Sequence, residues 1–83
     1  MKFYKYNGRC NACGATVRTL REERRLSQEQ LAAKLQCEGV NLAQKAVSRI
    51  ELGSRVVADF ELTALARIFG VTLDALLSDT QPT

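Results

Sequence analysis

The chain has 83 residues, 46% hydrophobic and 25% charged, with a formal net charge of +3 and no histidine. Such figures fit one folded domain and exclude a disordered polar chain. No apolar run approaches the ~18 residues of a membrane span, so no membrane partner is expected.

Charge is unevenly placed. Residues 1–55 carry eleven Lys/Arg against five Asp/Glu, and residues 56–83 carry one against four. A basic first part suggests a polyanionic partner, and plain scatter of surface charge is the alternative. The opening MKFYKYNGRC has no apolar core behind its lysines and does not read as a secretory leader, so the cytoplasm is the expected compartment. Three cysteines, Cys10, Cys13 and Cys37, form an odd set. A structural zinc site normally wants four ligands, and Cys10-Asn-Ala-Cys13 lacks the βαβ context of a thioredoxin-type motif. No metal, cofactor or small-molecule ligand is expected.

Residues 1–10, with Lys2, Lys5, Arg9, Tyr4 and Tyr6, show no periodicity and read as an arm. Asn11 can cap a first helix over about 12–25, whose Cys13, Val17 and Leu20 share one face. Gly14 is expected to weaken its first turn by up to about 1 kcal/mol relative to Ala. Ser27 opens a second helix through a capping box with Gln30, with Leu31 and Leu35 inward and Leu26 as a staple. Gly39 fits a helix stop, and Asn41 is the next available cap. A third helix over about 43–52 would bury Val47 and Ile50 and end at Gly53.

Asp59 is expected to cap a fourth helix with Leu62, Leu65, Ala66 and Phe69 on one side, closed by Gly70. Thr72 caps a short fifth helix carrying Leu73, Leu76 and Leu77, at least two of them expected in the core, with Asp74 in the first turn. Residues 79–83 read as a frayed tail. There is no hairpin signal and no β alternation, so the fold class is all-α, with one domain over 11–78.

From Asn11 to Leu77 the sequence resembles the Cro/lambda-repressor-like helix-turn-helix family, the xenobiotic-response-element type. The strings that carry the likeness are Val17-Arg-Thr-Leu-Arg21, Leu26-Ser-Gln-Glu-Gln-Leu-Ala-Ala-Lys-Leu35, Val47-Ser-Arg-Ile-Glu51 with Gly53, and Leu65-Ala-Arg-Ile-Phe-Gly-Val-Thr-Leu-Asp-Ala-Leu76. Each is weak alone; four in order are specific.

The resemblance implies a compact five-helix lambda-repressor-like bundle that binds double-stranded DNA, usually as a homodimer. Helix 2 would cross the backbone while helix 3 enters the major groove. It puts Gln44, Lys45, Ser48 and Arg49 at base- or phosphate-contacting positions. Their chemistry suits this, since Lys and Arg donate to guanine O6/N7 and Gln pairs with adenine N6/N7. An ordinary solvated face would look the same. Ser27 and Gln28 at the start of helix 2, and Arg55 after helix 3, are implied phosphate contacts, though a capped helix start or a loop arginine needs no such role. Arg21 and Glu51 are implied to form an ion pair joining helix 1 to the end of helix 3. The connection Gln36–Leu42 is longer than the usual turn of ~3–4 residues, and Ala43 stands where Ser or Thr commonly caps helix 3.

The function expected is sequence-specific transcriptional regulation, repression in particular. An antitoxin or protein-interaction module is the second reading. Catalysis has little support, with no histidine, no paired acid motif and no phosphate loop.

Overall fold

The computed structural model describes residues 8–78, so Lys2, Lys5 and the tail 79–83 lie outside the described residues. Five helices follow in order: α1 Gly14–Glu23, α2 Gln28–Cys37, α3 Gln44–Leu52, α4 Asp59–Phe69 and α5 Leu73–Leu77. No strand occurs among the described residues. The all-α five-helix bundle read from periodicity is the fold observed, and α3 packs against both α1 and α2. Behind them, α4 contacts α1 and α2 and carries α5.

The core forms where the inward positions of all five helices meet. Val17, Leu31, Leu35, Val47, Ile50, Leu65 and Leu76 are almost wholly buried, with Ala32, Ala64 and Phe69 beside them. Leu76 is the only leucine of α5 in that core: Leu73 and Leu77 are each 43% exposed. The expectation that two of the three are buried is therefore corrected. A helix of five residues turns too little apolar surface inward to sink more than one of them.

Local signals set most boundaries. Ser27 Oγ accepts from the Gln30 N–H at 3.0 Å while Gln30 Oε1 accepts from the Ser27 N–H at 2.8 Å, completing the capping box. Thr72 Oγ1 caps α5 through the Ala75 N–H. Gly53 and Gly70 adopt left-handed φ of 77° and 67°, where α3 and α4 stop. α1 stops the same way without a glycine: Arg25 takes φ 56°, and the Leu26 N–H reaches back to the Arg21 carbonyl at 3.0 Å.

Three expected caps are not the ones used: Cys13, not Asn11, stands at the N-cap of α1. Asp59 is the first residue of α4, after Ala58, and Glu61 reaches back to accept from the Ala58 N–H at 3.0 Å. α3 begins after Ala43 with no side-chain cap, so Asn41 does not supply one. The long connection is also shorter than expected, because Gln36 and Cys37 still belong to α2. Its remainder is anchored by burial of Val40 and Leu42, 7% exposed each, and by Gln36 Nε2 donating to the Leu42 carbonyl at 3.3 Å. These two apolar side chains seat the entry of α3 on the core.

Candidate nucleic-acid interface

The candidate surface is built by α3 and the N-terminus of α2. With Val47 and Ile50 buried, the opposite side of α3 faces outward: Gln44, Lys45 and Arg49 are exposed and Ser48 is half-buried. These four share one side because their spacing fits the helical repeat. Among the described residues, neither Lys45 nor Arg49 takes part in an ion pair.

Arg21 and Glu51 meet. Arg21 Nε donates to Glu51 Oε2 at 2.6 Å and Nη2 donates to Oε1 at 3.0 Å, a two-pronged pair with side chains only 12% and 3% exposed. The remaining prong, Nη1, donates to the Leu26 carbonyl at 2.8 Å and so holds the entrance to α2. Hydrogen bonding to Glu51 raises the Arg21 guanidinium above its ordinary pKa against the opposing effect of burial.

The pair continues into a relay that sequence reasoning missed. Gln28 Nε2 donates to Glu51 Oε1 at 3.0 Å, and Gln44 Nε2 donates to Gln28 Oε1 at 2.6 Å. A carboxylate only accepts, so Glu51 dictates which way the Gln28 amide points, and Gln28 in turn dictates the Gln44 amide. Gln44 is left with its carbonyl oxygen and one N–H free. The spacing of Gln44 and Glu51, two helical turns apart, was visible in the sequence; the meeting of Gln28 with both was not.

The cleft at this corner has a volume of about 380 Å³ and is lined by Arg21, Ser27, Gln28, Glu29 and Gln44. Ser27 is exposed beside the free N–H groups at the start of α2, an arrangement that favours an anion. Glu29 carries its negative charge into the same cleft.

Arg55 has another partner. Its guanidinium donates to both oxygens of Glu61 at 2.8 and 3.0 Å, so a phosphate contact would have to compete with that pair. The Arg55 hydrogen bond holds the Glu61 carboxyl below its usual range, against a burial effect of opposite sign. Glu61 is 5% exposed, a buried acid the apolar pattern of α4 did not reveal. Its position three residues after Ala58 was the available signal.

A second strap fixes the far end of α3. Asn11 Oδ1 accepts from the Gly14 N–H at 2.8 Å, while its Nδ2 donates to the carbonyls of Ile50 and Arg55 at 3.1 and 2.7 Å. Asn11 is thus not the N-cap of α1, a position held by Cys13, and instead ties the first turn of α1 to the end of α3. A Cβ on Gly14 would overlap the Ile50 carbonyl oxygen, so this glycine serves close helix approach and its cost to the first turn is offset. The Cys10 N–H donates to the Gly53 carbonyl at 2.7 Å. Burial pushes the Cys13 thiol up to about 11, whereas Cys37 is exposed. Among the described residues no group of three or more Cys, Asp or Glu side chains is placed to hold a metal ion, and no helix is long and apolar enough to cross a membrane.

The helix-turn-helix family matches residues 17–76. A search of curated proteins returned no match. Among solved structures, the chain is similar to the P22 c2 repressor protein, crystallised in complex with synthetic operator 9T in the presence of Tl+. The likeness has a TM-score of 0.65 at 25% identity and covers 83% of this chain and 97% of the repressor chain. With the matched span running from the middle of α1 to α5, the chain belongs to the helix-turn-helix family, of the Cro/C1 type.

Proposed function

We infer that this chain, as a member of the helix-turn-helix family a DNA-binding transcription regulator, acts as a repressor that reads the major groove with α3, as a homodimer on double-stranded DNA in the cytoplasm. Family membership points to a regulator and away from an enzyme. The observation that carries the reading is the Glu51–Gln28–Gln44 relay. It leaves Gln44 one acceptor and one donor side by side, the pair that adenine N6 and N7 require. Lys45 and Arg49 supply donors for guanine, and Ser48 serves either base. Ser27 and the N–H groups at the start of α2 meet phosphate, with Gln28 at the same corner. The solved P22 c2 repressor–operator complex, similar over most of this chain, supports a DNA partner.

Selection from a random duplex library, followed by anisotropy titration of the enriched sequence, tests it. Binding is expected to prefer that sequence and to weaken steeply with salt. Gln44→Ala and Arg49→Ala should each cost about 1–3 kcal/mol and relax the preference at one position. Binding that ignores sequence, or that is untouched by the double variant, would overturn the reading.

A further inference from the structure

We propose that Glu29, on the supporting helix α2, is a specificity-determining residue of this interface: its carboxylate accepts from the N4 amine of a cytosine beside the base read by Gln44, and repels duplexes that offer it none. This rests on the regulator reading above and names a reader outside α3. Glu29 is exposed in the first turn of α2 and lines two clefts that meet at Gln44. One is the corner shared with Arg21, Ser27 and Gln28. The other, of about 260 Å³, lies between α2 and the start of α3 and is lined by Glu29, Ala32, Ala33, Gln36, Ala43 and Gln44. The three alanines are small enough to let a base edge approach the carboxylate beside the Gln44 amide.

The charge of Glu29 is not cancelled within the protein. Arg21, in the same corner, is already engaged, with two nitrogens donating to Glu51 and a third to the Leu26 carbonyl. Lys45 and Arg49 on the adjoining side of α3 form no ion pair with Glu29 among the described residues. Those two cations attract the duplex, and Glu29 weakens that attraction wherever a phosphate lies near it. An acid in the first turn suits the helix end, a benefit local to α2 that any first-turn position would give. What turns the repulsion into selection is a donor on the base. In the major groove guanine presents the N7 and O6 acceptors, thymine its O4 acceptor, and adenine an N6 donor beside its N7 acceptor. Cytosine alone presents a donor with no acceptor on its own edge, so it meets a carboxylate without an opposing lone pair. Gln44, with one donor and one acceptor, suits adenine, and the two side chains therefore read different bases. Glu29 lowers affinity on most sequences and restores it where a cytosine stands beneath it.

The test carries the wild type, Glu29→Ala and Glu29→Gln through library selection, anisotropy titration and thermal melts. The wild type should enrich cytosine at a position adjoining the one that Gln44→Ala relaxes. Replacing that cytosine pair should weaken wild-type binding about fivefold or more, and should leave Glu29→Ala almost unaffected. On random duplex, Glu29→Ala should bind about two- to fivefold more tightly than the wild type at low salt, a gain that shrinks as salt rises. Glu29→Gln is uncharged but keeps an acceptor oxygen. It should show the same gain on random duplex while retaining part of the cytosine preference. Tm should change little in either variant, because the side chain is exposed. A cytosine preference intact in Glu29→Ala, or an equal gain on every sequence, would overturn the proposal. DNA binding unchanged in both variants would overturn it too, and with a lowered Tm would reduce Glu29 to a helix-end charge. If Gln44→Ala and Arg49→Ala relax the selected sequence and Glu29→Ala does not, the regulator reading stands and this assignment alone falls. A wild type without any sequence preference refutes both.

Discussion

Replacing Glu51 by alanine should destabilise this protein far more than replacing Arg49, although both lie on α3 and only Arg49 faces outward. The Glu51 side chain is 3% exposed and accepts from Arg21 twice and from Gln28 once. Its removal strands a guanidinium that is itself only 12% exposed and an amide N–H in a partly buried corner. Breaking one side of a buried pair costs about 3–5 kcal/mol. Arg21 keeps its bond to the Leu26 carbonyl, which favours the low end of that range. At about 3 kcal/mol, a domain of this size should lose roughly 12–24 °C in Tm. Arg49→Ala removes an exposed side chain with no ion-pair partner among the described residues, and should stay within about 0.5 kcal/mol. Thermal unfolding followed by circular dichroism at neutral pH checks both. Equal and small losses would refute the view that the pair is a structural tie, and would place Glu51 in an unstressed surface position.

Other expected outcomes concern the ends of α1 and two buried groups. Arg25→Gly, at a left-handed position, should stabilise by about 0.5–1 kcal/mol in the same melts, a smaller gain than the strain relieved because glycine loosens the unfolded chain. Gly14→Ala should lower Tm, against the sign of helix propensity, because its Cβ meets the Ile50 carbonyl; a raised Tm would show that α1 and α3 can move apart freely. Glu61, whose carboxyl is held below its ordinary value by Arg55, contributes stability that is fully present above the unfolded carboxylate pKa and is lost as pH falls through the lower, folded one. Urea unfolding across pH 2–6 should therefore show a steeper acid loss in the wild type than in Glu61→Gln. Alkylation by iodoacetamide at mild alkaline pH should label exposed Cys37 first and leave Cys13 unlabelled until unfolding, given its burial and a thiol pKa near 11.

The parts of this fold legible in the sequence are those decided within one helical turn or one amphipathic face. The Ser27–Gln30 box, the Thr72 cap and the stops at Gly53 and Gly70 all depend on neighbours three or four residues away. The inward Val47 and Ile50 follow from the helical repeat alone. What escaped the sequence is long-range. Asn11 reads as an ordinary cap, and nothing in its neighbourhood indicates that its amide reaches Ile50 and Arg55. Arg55 reads as a loop cation because its partner is buried in an otherwise apolar helix face. Val40 and Leu42 look like loop residues, since no periodicity marks an irregular segment that folds inward. The candidate readers on α3 were legible as an exposed polar face, whereas the relay that orients Gln44 was not.

That division also bears on how α3 can work. A nine-residue helix with no side-chain cap at its start is too short to hold itself in water, so its order must come from tertiary contacts. Those contacts come from residues that face away from DNA in the proposed reading: Val47 and Ile50 below, Asn11 at one end, and Arg21 through Glu51 along the side. The relay also settles an electrostatic difficulty. A bare carboxylate at Glu51, joined through Gln28 to the start of α2, would repel the phosphate that the proposed reading puts there, and Arg21 cancels that charge inside the protein. Lys45, Ser48 and Arg49 bear none of this structural burden. In the proposed reading they can therefore be exchanged to alter what α3 contacts while its placement stays fixed; Gln44 differs only in that its bond to Gln28 sets the direction of its amide.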